Sequence, residues 1–396
     1  MDIQKVQKEI AALGADAWLI SDYENKNPTI TSLLGKKMLT RKLFMVIPKE
    51  KKPYLICHLI DSVFLLDKET KKNFDLRIYK TWQEMLTLEE ESFQDYQTVL
   101  MDVSSKGLLP RISFADYGTV SFIASLGKQI ISSGDLLQSF SAVYSERSYK
   151  LQLQADELVL KIKDEAFKKI RDDIKAKNES DELAVQQFIV KRFLECGMVF
   201  DEAPIVAIGT NASDPHYGPT IENHSPIHKD DLVLIDMWAK MDDKDAVYAD
   251  ITWMGYVGES VPEIYAERFS VLEKSIDTVL AFLQKELPLR RVEGYEGDRV
   301  TRDFIEKAGY GEFFIHRTGH NIAVDVSPHG PGVNLDDYES HDERELIDGV
   351  CFSIEPGIYA PDFGMRSETN VYIKERRPLV VAGRQRKIIP ILAIKD

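Results

Sequence analysis

A chain of 396 residues with 65 acidic against 50 basic side chains, a formal net charge of −15, is long enough for two or three domains and carries no phosphate-seeking charge. Nucleic acid is thereby excluded as its main partner. With 44% hydrophobic residues, 10% aromatics and no low-complexity tract, it reads as a folded globular chain large enough to bury a deep active site.

The opening MDIQKVQKEIAALG carries charges every few residues and no apolar run. It predicts neither a signal peptide nor a membrane span, and so a cytoplasmic protein. Residues 1–13 predict an amphipathic helix stopped at Gly14, followed by a short strand at Trp18–Ile20 and a turn around Asn27-Pro28. Leu43–Ile47 and Tyr54–Cys57 flank Pro48-Lys-Glu-Lys-Lys-Pro53, a hairpin signal. Strand candidates at Leu76–Tyr79, Thr98–Met101 and Gln129–Ser132 alternate with helical segments, so residues 1–145 predict an α/β domain.

One long charged helix is expected from Ser145 to about Lys175, and another from Ser180 to Cys196 with Gly197 as its stop. The domain join is placed here, which makes residues 146–396 the second domain. Seven of the eight histidines lie beyond residue 200, among short β-branched strands. Ser260-Val-Pro-Glu263 reads as a capping box opening a helix that reaches about Glu286, and residues 298–308 as a shorter helix ended by Gly309. Helices plus an antiparallel sheet make this an α+β domain. The three cysteines, Cys57, Cys196 and Cys351, lie far apart without a CxxC spacing, which argues against a disulfide framework or a zinc knuckle.

Several segments of the second half end apolar strands in carboxylates or a histidine: LVLIDMW with Asp236, VYADITW with Asp250, HRTGH with His320, and CFSIEPGIY with Glu355 followed by MRSETN with Glu368. Singly, a carboxylate near a strand is usually a solvated charge. Alternation changes that reading for the group. It puts Tyr248, Asp250 and Thr252 on one face, Cys351, Ser353 and Glu355 on another, and Arg366, Glu368 and Asn370 together. These strands are too apolar for a surface. Buried carboxylates need partners, no equal cluster of Lys or Arg is present, and divalent metal is the economical answer. A hairpin closed through Lys240-Met-Asp-Asp-Lys-Asp would bring Asp236 and Asp250 together. Four carboxylates and one imidazole match a site for two divalent ions, roughly 3.5–4 Å apart and sharing bridging carboxylates. Two dications against four carboxylates leave no net charge, so a bridging hydroxide can be held and used as nucleophile. One His and no Cys favour Mn²⁺, with Co²⁺, Fe²⁺ or Zn²⁺ as alternatives.

Asp236, Asp250, His320, Glu355 and Glu368, in that order and within IGTNASDPHYGP, LIDMWAK, YADITW, HRTGHNIAVDVSPHGPG, IEPGIY and MRSE, resemble the pita-bread metallopeptidases. Within that group the chain is similar to aminopeptidase P and prolidase, which act on Xaa-Pro bonds. The resemblance implies an α/β N-terminal domain followed by a pita-bread domain with a curved antiparallel sheet and flanking helices. It implies that the five residues are metal ligands and that Glu355 also manages the nucleophile's proton. His216, in Asp-Pro-His-Tyr, matches the histidine that contacts substrate near the scissile bond, and Arg366 the active-site arginine. His329 takes the part of the second catalytic histidine, which stabilises the tetrahedral intermediate. A homodimer acting on short proline-containing peptides is expected, with the N-terminal domain bordering the partner's active site. Departures from the family pattern are Trp238 in place of Gly, a hairpin about three residues longer, Trp253 where Arg commonly follows Asp-Ile-Thr, and Ser327 at the usual histidine spacing; they mark a divergent subgroup. Two other classes compete with a di-metal exopeptidase, Xaa-Pro aminopeptidase or dipeptidase. One is an inactive binding protein on the same fold, which the five ligands and Arg366 argue against. The other is a metal-free creatinase-like hydrolase, whose relatives lack the carboxylate set.

Overall fold

A computed structural model of the chain describes residues 3–395. Its internal contacts divide the chain into two compact units, Met1–Leu137 and Gln138–Asp396. The first unit runs through α1 (Ile3–Ala12), β1 (Ala17–Asp22), α2 (Pro28–Leu34), β2 (Leu43–Pro48), β3 (Tyr54–His58), α3 (Leu59–Ser62) and α4 (Lys68–Asn73). It continues with β4 (Asp75–Tyr79), α5 (Trp82–Phe93), β5 (Thr98–Met101), α6 (Tyr117–Ser125) and β6 (Gln129–Ser132). The strands form one mixed sheet in the order β4-β3-β2-β1-β5-β6. β2 pairs antiparallel with β1 and β3, the other neighbours run parallel, and the expected hairpin is β2–β3. β1 and β2 are buried along their whole length, which is why LFMVIP reads as a continuous apolar run and not as an alternating one. Its core gathers Leu19, Phe44, Val46, Ile56, Phe93, Val99 and Ile123.

The chain passes through α7 (Gly134–Ser141) into α8 (Glu146–Lys177), capped by the Ser145 hydroxyl on the Ser148 N–H and closed by Asn178 in the left-handed region, φ 61°. There follow β7 (Ser180–Asp181), α9 (Glu182–Glu195), β8 (Met198–Val199), β9 (Ile205–Ile208), β10 (Pro226–Ile227), β11 (Leu232–Met241) and β12 (Ala249–Tyr256). Two helices, α10 (Glu263–Glu286) and α11 (Gly294–Lys307), precede β13 (Asn321–Ile322), β14 (Cys351–Ile354), β15 (Gly357–Ala360), β16 (Phe363–Arg366), β17 (Thr369–Lys374), β18 (Arg377–Val380) and β19 (Ile389–Pro390). One sheet is ordered β19-β12-β11-β8 with β9 also on β11, another β13-β14-β17-β18, and β15–β16 is a separate hairpin.

Period-two alternation gives the β11–β12 and β14–β17 pairs one apolar face and one on which polar side chains alternate with further apolar ones. Val233, Ile235, Met237, Ala239, Ala249 and Ile251 pack against the Val159, Ile162, Ala166 and Ile170 stripe of α8. Phe352, Ile354, Val371 and Ile373 pack with Ile276, Val279 and Leu283 of α10. Asp236, Asp250, Thr252, Ser353 and Asn370 occupy the alternate positions. The polar faces meet across a pair of hydrogen bonds: the Asp250 N–H donates to Asn370 Oδ1 at 3.0 Å, and Asn370 Nδ2 donates to the Asp250 carbonyl at 2.8 Å. The site lies at this meeting.

Three local expectations need correction. α10 starts at Glu263 with Pro262 at its N-cap and no capping side chain, because the residue before a proline is held out of the helical region and Ser260 lies too early to cap. α11 starts at Gly294, four residues before the expected 298, under a capping box made by Glu293 and Glu296. The two glycines of GYEG make that turn read as loop, yet a Cβ at Gly294 would lie 1.9 Å from the Asn334 carbonyl, so close packing requires glycine there. Arg366, Glu368 and Asn370 do not share one strand: Arg366 ends β16 and Asn370 lies in β17, with Glu368 at the junction.

Candidate metal centre

β11 and β12 pair with Asp236 opposite Thr252 and Trp238 opposite Asp250, so the two aspartates are diagonal neighbours on the polar face, 7% and 4% exposed. Thr252 ties this hairpin to the later chain. Its hydroxyl lies 3.0 Å from Asp236 Oδ1 and 2.9 Å from Glu368 Oε2, and accepts from Arg366 Nε at 3.0 Å. Glu368 is also held by its own N–H on the Thr252 carbonyl.

His320 arrives from a different segment. A Cβ on Gly319 would lie 1.9 Å from the Ser353 carbonyl, so only glycine lets the HRTGH segment lie against β14. The Ser353 hydroxyl then accepts the His320 N–H and donates to Glu355 Oε1, each at 2.9 Å. His320 Nε2 stands 3.5 Å from Asp250 Oδ2 and 3.3 Å from Glu355 Oε1. Its Nδ1 faces the Asn321 carbonyl at 3.3 Å; burial works against the imidazolium, but the hydrogen bond to Asp250 and the charges of Glu355 and Asp250 hold the ring above its ordinary value.

Among the described residues one group has donor atoms spaced for a cation: Asp250, His320 and Glu368, all within 4.8 Å of one another and all buried. Glu368 Oε1 is buried without a hydrogen-bond partner. A carboxylate oxygen stranded beside an imidazole and a second carboxylate fits a divalent ion, since the nearby Arg366 guanidinium bonds Thr252, Asp236 and Tyr359 and not Glu368. The electrostatics agree. Burial first, then Asp250, Glu355 and Asp236, push the Glu368 carboxyl far above the usual carboxylate range. Burial raises Asp236 and Asp250 as well. Glu355 is the exception: burial pushes it up, but His320, His316 and Arg366 together hold it below its ordinary value.

Arg366, the active-site arginine of the sequence reading, adds a cation beside the four carboxylates. It is 4% exposed, pairs with Asp236 in a very short contact, and donates from Nη1 to the Tyr359 hydroxyl at 2.7 Å. That hydroxyl also meets His316 Nε2 at 2.8 Å. Burial lowers His316 to about 4, so it is neutral at physiological pH. Tyr359 and His316 went unnoticed in the sequence; the available signal was a second histidine four residues before His320 in HRTGH.

All eight predicted residues, Asp236, Asp250, His320, Glu355, Glu368, His216, His329 and Arg366, line one cavity of about 560 Å³. His329 packs edge-on against His320, ring centroids 4.0 Å apart, and its N–H donates to the Ser327 hydroxyl at 3.2 Å. His216 sits in a loop that Glu182 anchors from the start of α9. The fully buried Glu182 carboxylate accepts from the Ile208 and Ser225 N–H groups, Asn211 Nδ2 and the Tyr217 hydroxyl, at 2.6–3.2 Å.

A family model described as metallopeptidase family M24 matches residues 157–375. A Xaa-Pro dipeptidase from Lactobacillus helveticus is 35% identical over 193 residues, 47% of each chain. The chain thus spans about half the length of the curated relatives it matches first. Among solved structures, dipeptidase PepE from Mycobacterium ulcerans superposes with a TM-score of 0.63 at 20% identity, covering 98% of this chain and 96% of that one. X-Pro aminopeptidase from Thermotoga maritima superposes with 0.55 at 23% identity over 97% and 99%. Both likenesses show a shared fold over nearly the whole chain, and no helix among the described residues is long and apolar enough to cross a membrane.

Proposed function

The chain belongs to metallopeptidase family M24, and on that premise we propose that it is a di-metal exopeptidase hydrolysing the Xaa-Pro bond of short peptides. The observation that carries the reading is the unpartnered Glu368 oxygen inside the Asp250–His320–Glu368 group. Asp236, Asp250, His320, Glu355 and Glu368 would hold two divalent ions, Mn²⁺ before Co²⁺, Zn²⁺ or Fe²⁺, since four of the five donors are hard carboxylates. Such ions, when bound, polarise the scissile carbonyl and acidify water. That suits a bond to proline, which has no amide N–H to grip.

The protein's own groups do the rest. Glu355, whose carboxyl is held below its ordinary value with Arg366 nearby, can take the proton of the attacking water and return it to the leaving nitrogen. His216 and His329 line the cavity from two loops; His216 would contact the substrate near the scissile bond, and His329 would donate to the carbonyl oxygen as charge develops there. Arg366 holds Asp236 in place, Tyr359 holds Arg366, and neutral His316 in turn holds Tyr359. Relatives named dipeptidase and aminopeptidase both occur, so the length of peptide accepted is open between Xaa-Pro and Xaa-Pro-Yaa. A cytoplasmic homodimer completes the reading, and sedimentation tests the dimer.

The deciding experiment joins metal analysis of purified protein to a dipeptide and tripeptide panel. Wild type should carry divalent metal and cut Xaa-Pro, whereas Asp250→Ala should lose metal and turnover together. Full hydrolysis by protein free of metal would overturn the reading.

A further inference from the structure

The junction between β16 and β17 is held from two sides. On the cavity side Arg366 Nε donates to the Thr252 hydroxyl, which also meets Glu368 Oε2. Ser367, between them in the chain and 1% exposed, turns the other way. Its hydroxyl donates at 2.7 Å to Oε1 of Glu273, a buried residue of α10. The backbone ties of the junction are longer: the Ser367 N–H reaches the Pro356 carbonyl at 3.3 Å, and the Glu368 N–H the Thr252 carbonyl at 3.2 Å.

Glu273 stands where α10 passes from one apolar cluster to the next. Phe269 and Leu272 pack with Ile358 and Met365, whereas Ile276 and Val279 pack with Ile354 and Val371. A carboxylate in such a place is costly unless it is partnered. Burial raises the Glu273 carboxyl, and Ser367, Arg384 and Arg386 oppose that rise. Arg384 Nη2 donates to Glu273 Oε2 at 3.0 Å and to the Glu273 carbonyl at 3.1 Å, while its Nη1 donates to Asp277 Oδ1 at 2.6 Å. Gln385 then joins this segment to β12. Its Oε1 accepts the Met254 N–H at 2.7 Å, and its Nε2 donates to the Met254 carbonyl at 2.6 Å. The contacts close a ring, from Met254 through Gln385, Arg384, Glu273 and Ser367 to Glu368 and back to β12 at Thr252. Since β12 also carries Asp250, the ring fixes Glu368 relative to Asp250 from behind the cavity.

We propose that Glu273 is a positioning residue of the metal centre, setting through Ser367 the place of Glu368 beside Asp250 and His320. This rests on the metal-binding part of the proposed function, because it supposes that Glu368 ligates an ion. A cation is held well only by ligands already in place, and groups that orient a ligand from outside typically contribute about 10- to 100-fold in metal affinity.

Metal titration tests this role apart from catalysis. Protein stripped with a chelator is titrated calorimetrically with Mn²⁺, and the melting temperature of each metal-free variant is taken alongside. Ser367→Ala deletes the contact but leaves the Glu273–Arg384 pair, so it should weaken Mn²⁺ binding about 10- to 100-fold with little change in melting temperature. Glu273→Gln keeps a contact with the Ser367 hydroxyl, which accepts as well as donates, but removes the charge facing Arg384. It should therefore melt lower and still bind Mn²⁺ more tightly than Ser367→Ala does. Equal Mn²⁺ affinity in wild type and Ser367→Ala would overturn the proposal. So would weaker binding in Glu273→Gln than in Ser367→Ala, because affinity would then follow stability alone. Xaa-Pro hydrolysis is measured at saturating Mn²⁺. Weakened binding in Ser367→Ala of a protein without hydrolysis would keep the positioning role and sink the exopeptidase reading. Hydrolysis by wild type with Mn²⁺ affinity untouched in Ser367→Ala would do the reverse, and a wild type that binds no Mn²⁺ would overturn both.

Discussion

Three buried carboxylates in the second unit are stabilised in three different ways. Glu182 is satisfied by neutral donors and Glu368 is placed for a cation. Asp156 is 3% exposed on α8, and neither of its oxygens has a hydrogen-bond partner. Burial pushes its carboxyl from 3.8 to about 8, so at neutral pH it is held by a proton. The folded protein therefore binds this proton more tightly than the unfolded chain. Its stabilising effect is complete below about pH 4 and is lost as pH rises toward 8, at up to about 1.4 kcal/mol per pH unit. Asp156→Asn, which keeps the shape without the charge, should raise the melting temperature, and the gain should grow between pH 5 and pH 8. Melting curves across that range check this; a gain independent of pH would show that Asp156 does not titrate in the fold.

At the scale of elements, the loop bearing His216 depends on the first turn of α9. Nothing in IGTNASDPHYGP suggests that its geometry is held by Glu182 from some thirty residues earlier; the bonds appear only once α9 and β9 are packed together. Tyr217→Phe removes one donor from a buried carboxylate and should cost about 1.5–3 kcal/mol of stability. It should also lower kcat/KM without loss of metal, because the backbone next to His216 loses its tether. Thermal melting, metal content and Xaa-Pro hydrolysis on that variant distinguish this from a purely structural role, in which only the melting temperature would move. The strands themselves were largely legible, since a period of two needs only neighbouring residues. Helix starts were less so: Pro262 and the glycines of GYEG act through local sterics and close packing that propensity does not register.

At the scale of the whole molecule, stability and metal binding are coupled. The centre gathers four carboxylates whose burial is costly unless a cation compensates it, and no comparable group occurs in the first unit among the described residues. A divalent ion in 100-fold excess over its dissociation constant should stabilise the fold by about 2.7 kcal/mol. Calorimetry with and without a chelator measures this, and identical melting curves would mean that the five residues hold no ion.

The sequence by itself picked out the residues that the fold gathers in one cavity, and gave Asp236 and Asp250 their strand face, because side-chain alternation is a local property. It also made the α/β first unit and the helices of the second readable from apolar spacing. Only the tertiary structure decided which faces meet. α8 and α10 each cover an apolar sheet face, and what they leave open brings Asp236, His320 and Glu368 together from segments up to 132 residues apart. The same packing set the partners that spacing could not give: Thr252 between Asp236 and Glu368, Arg366 on Asp236 and Tyr359, and Trp238 on Asp201. Each is a contact between distant segments, fixed by burying apolar surface elsewhere in the fold.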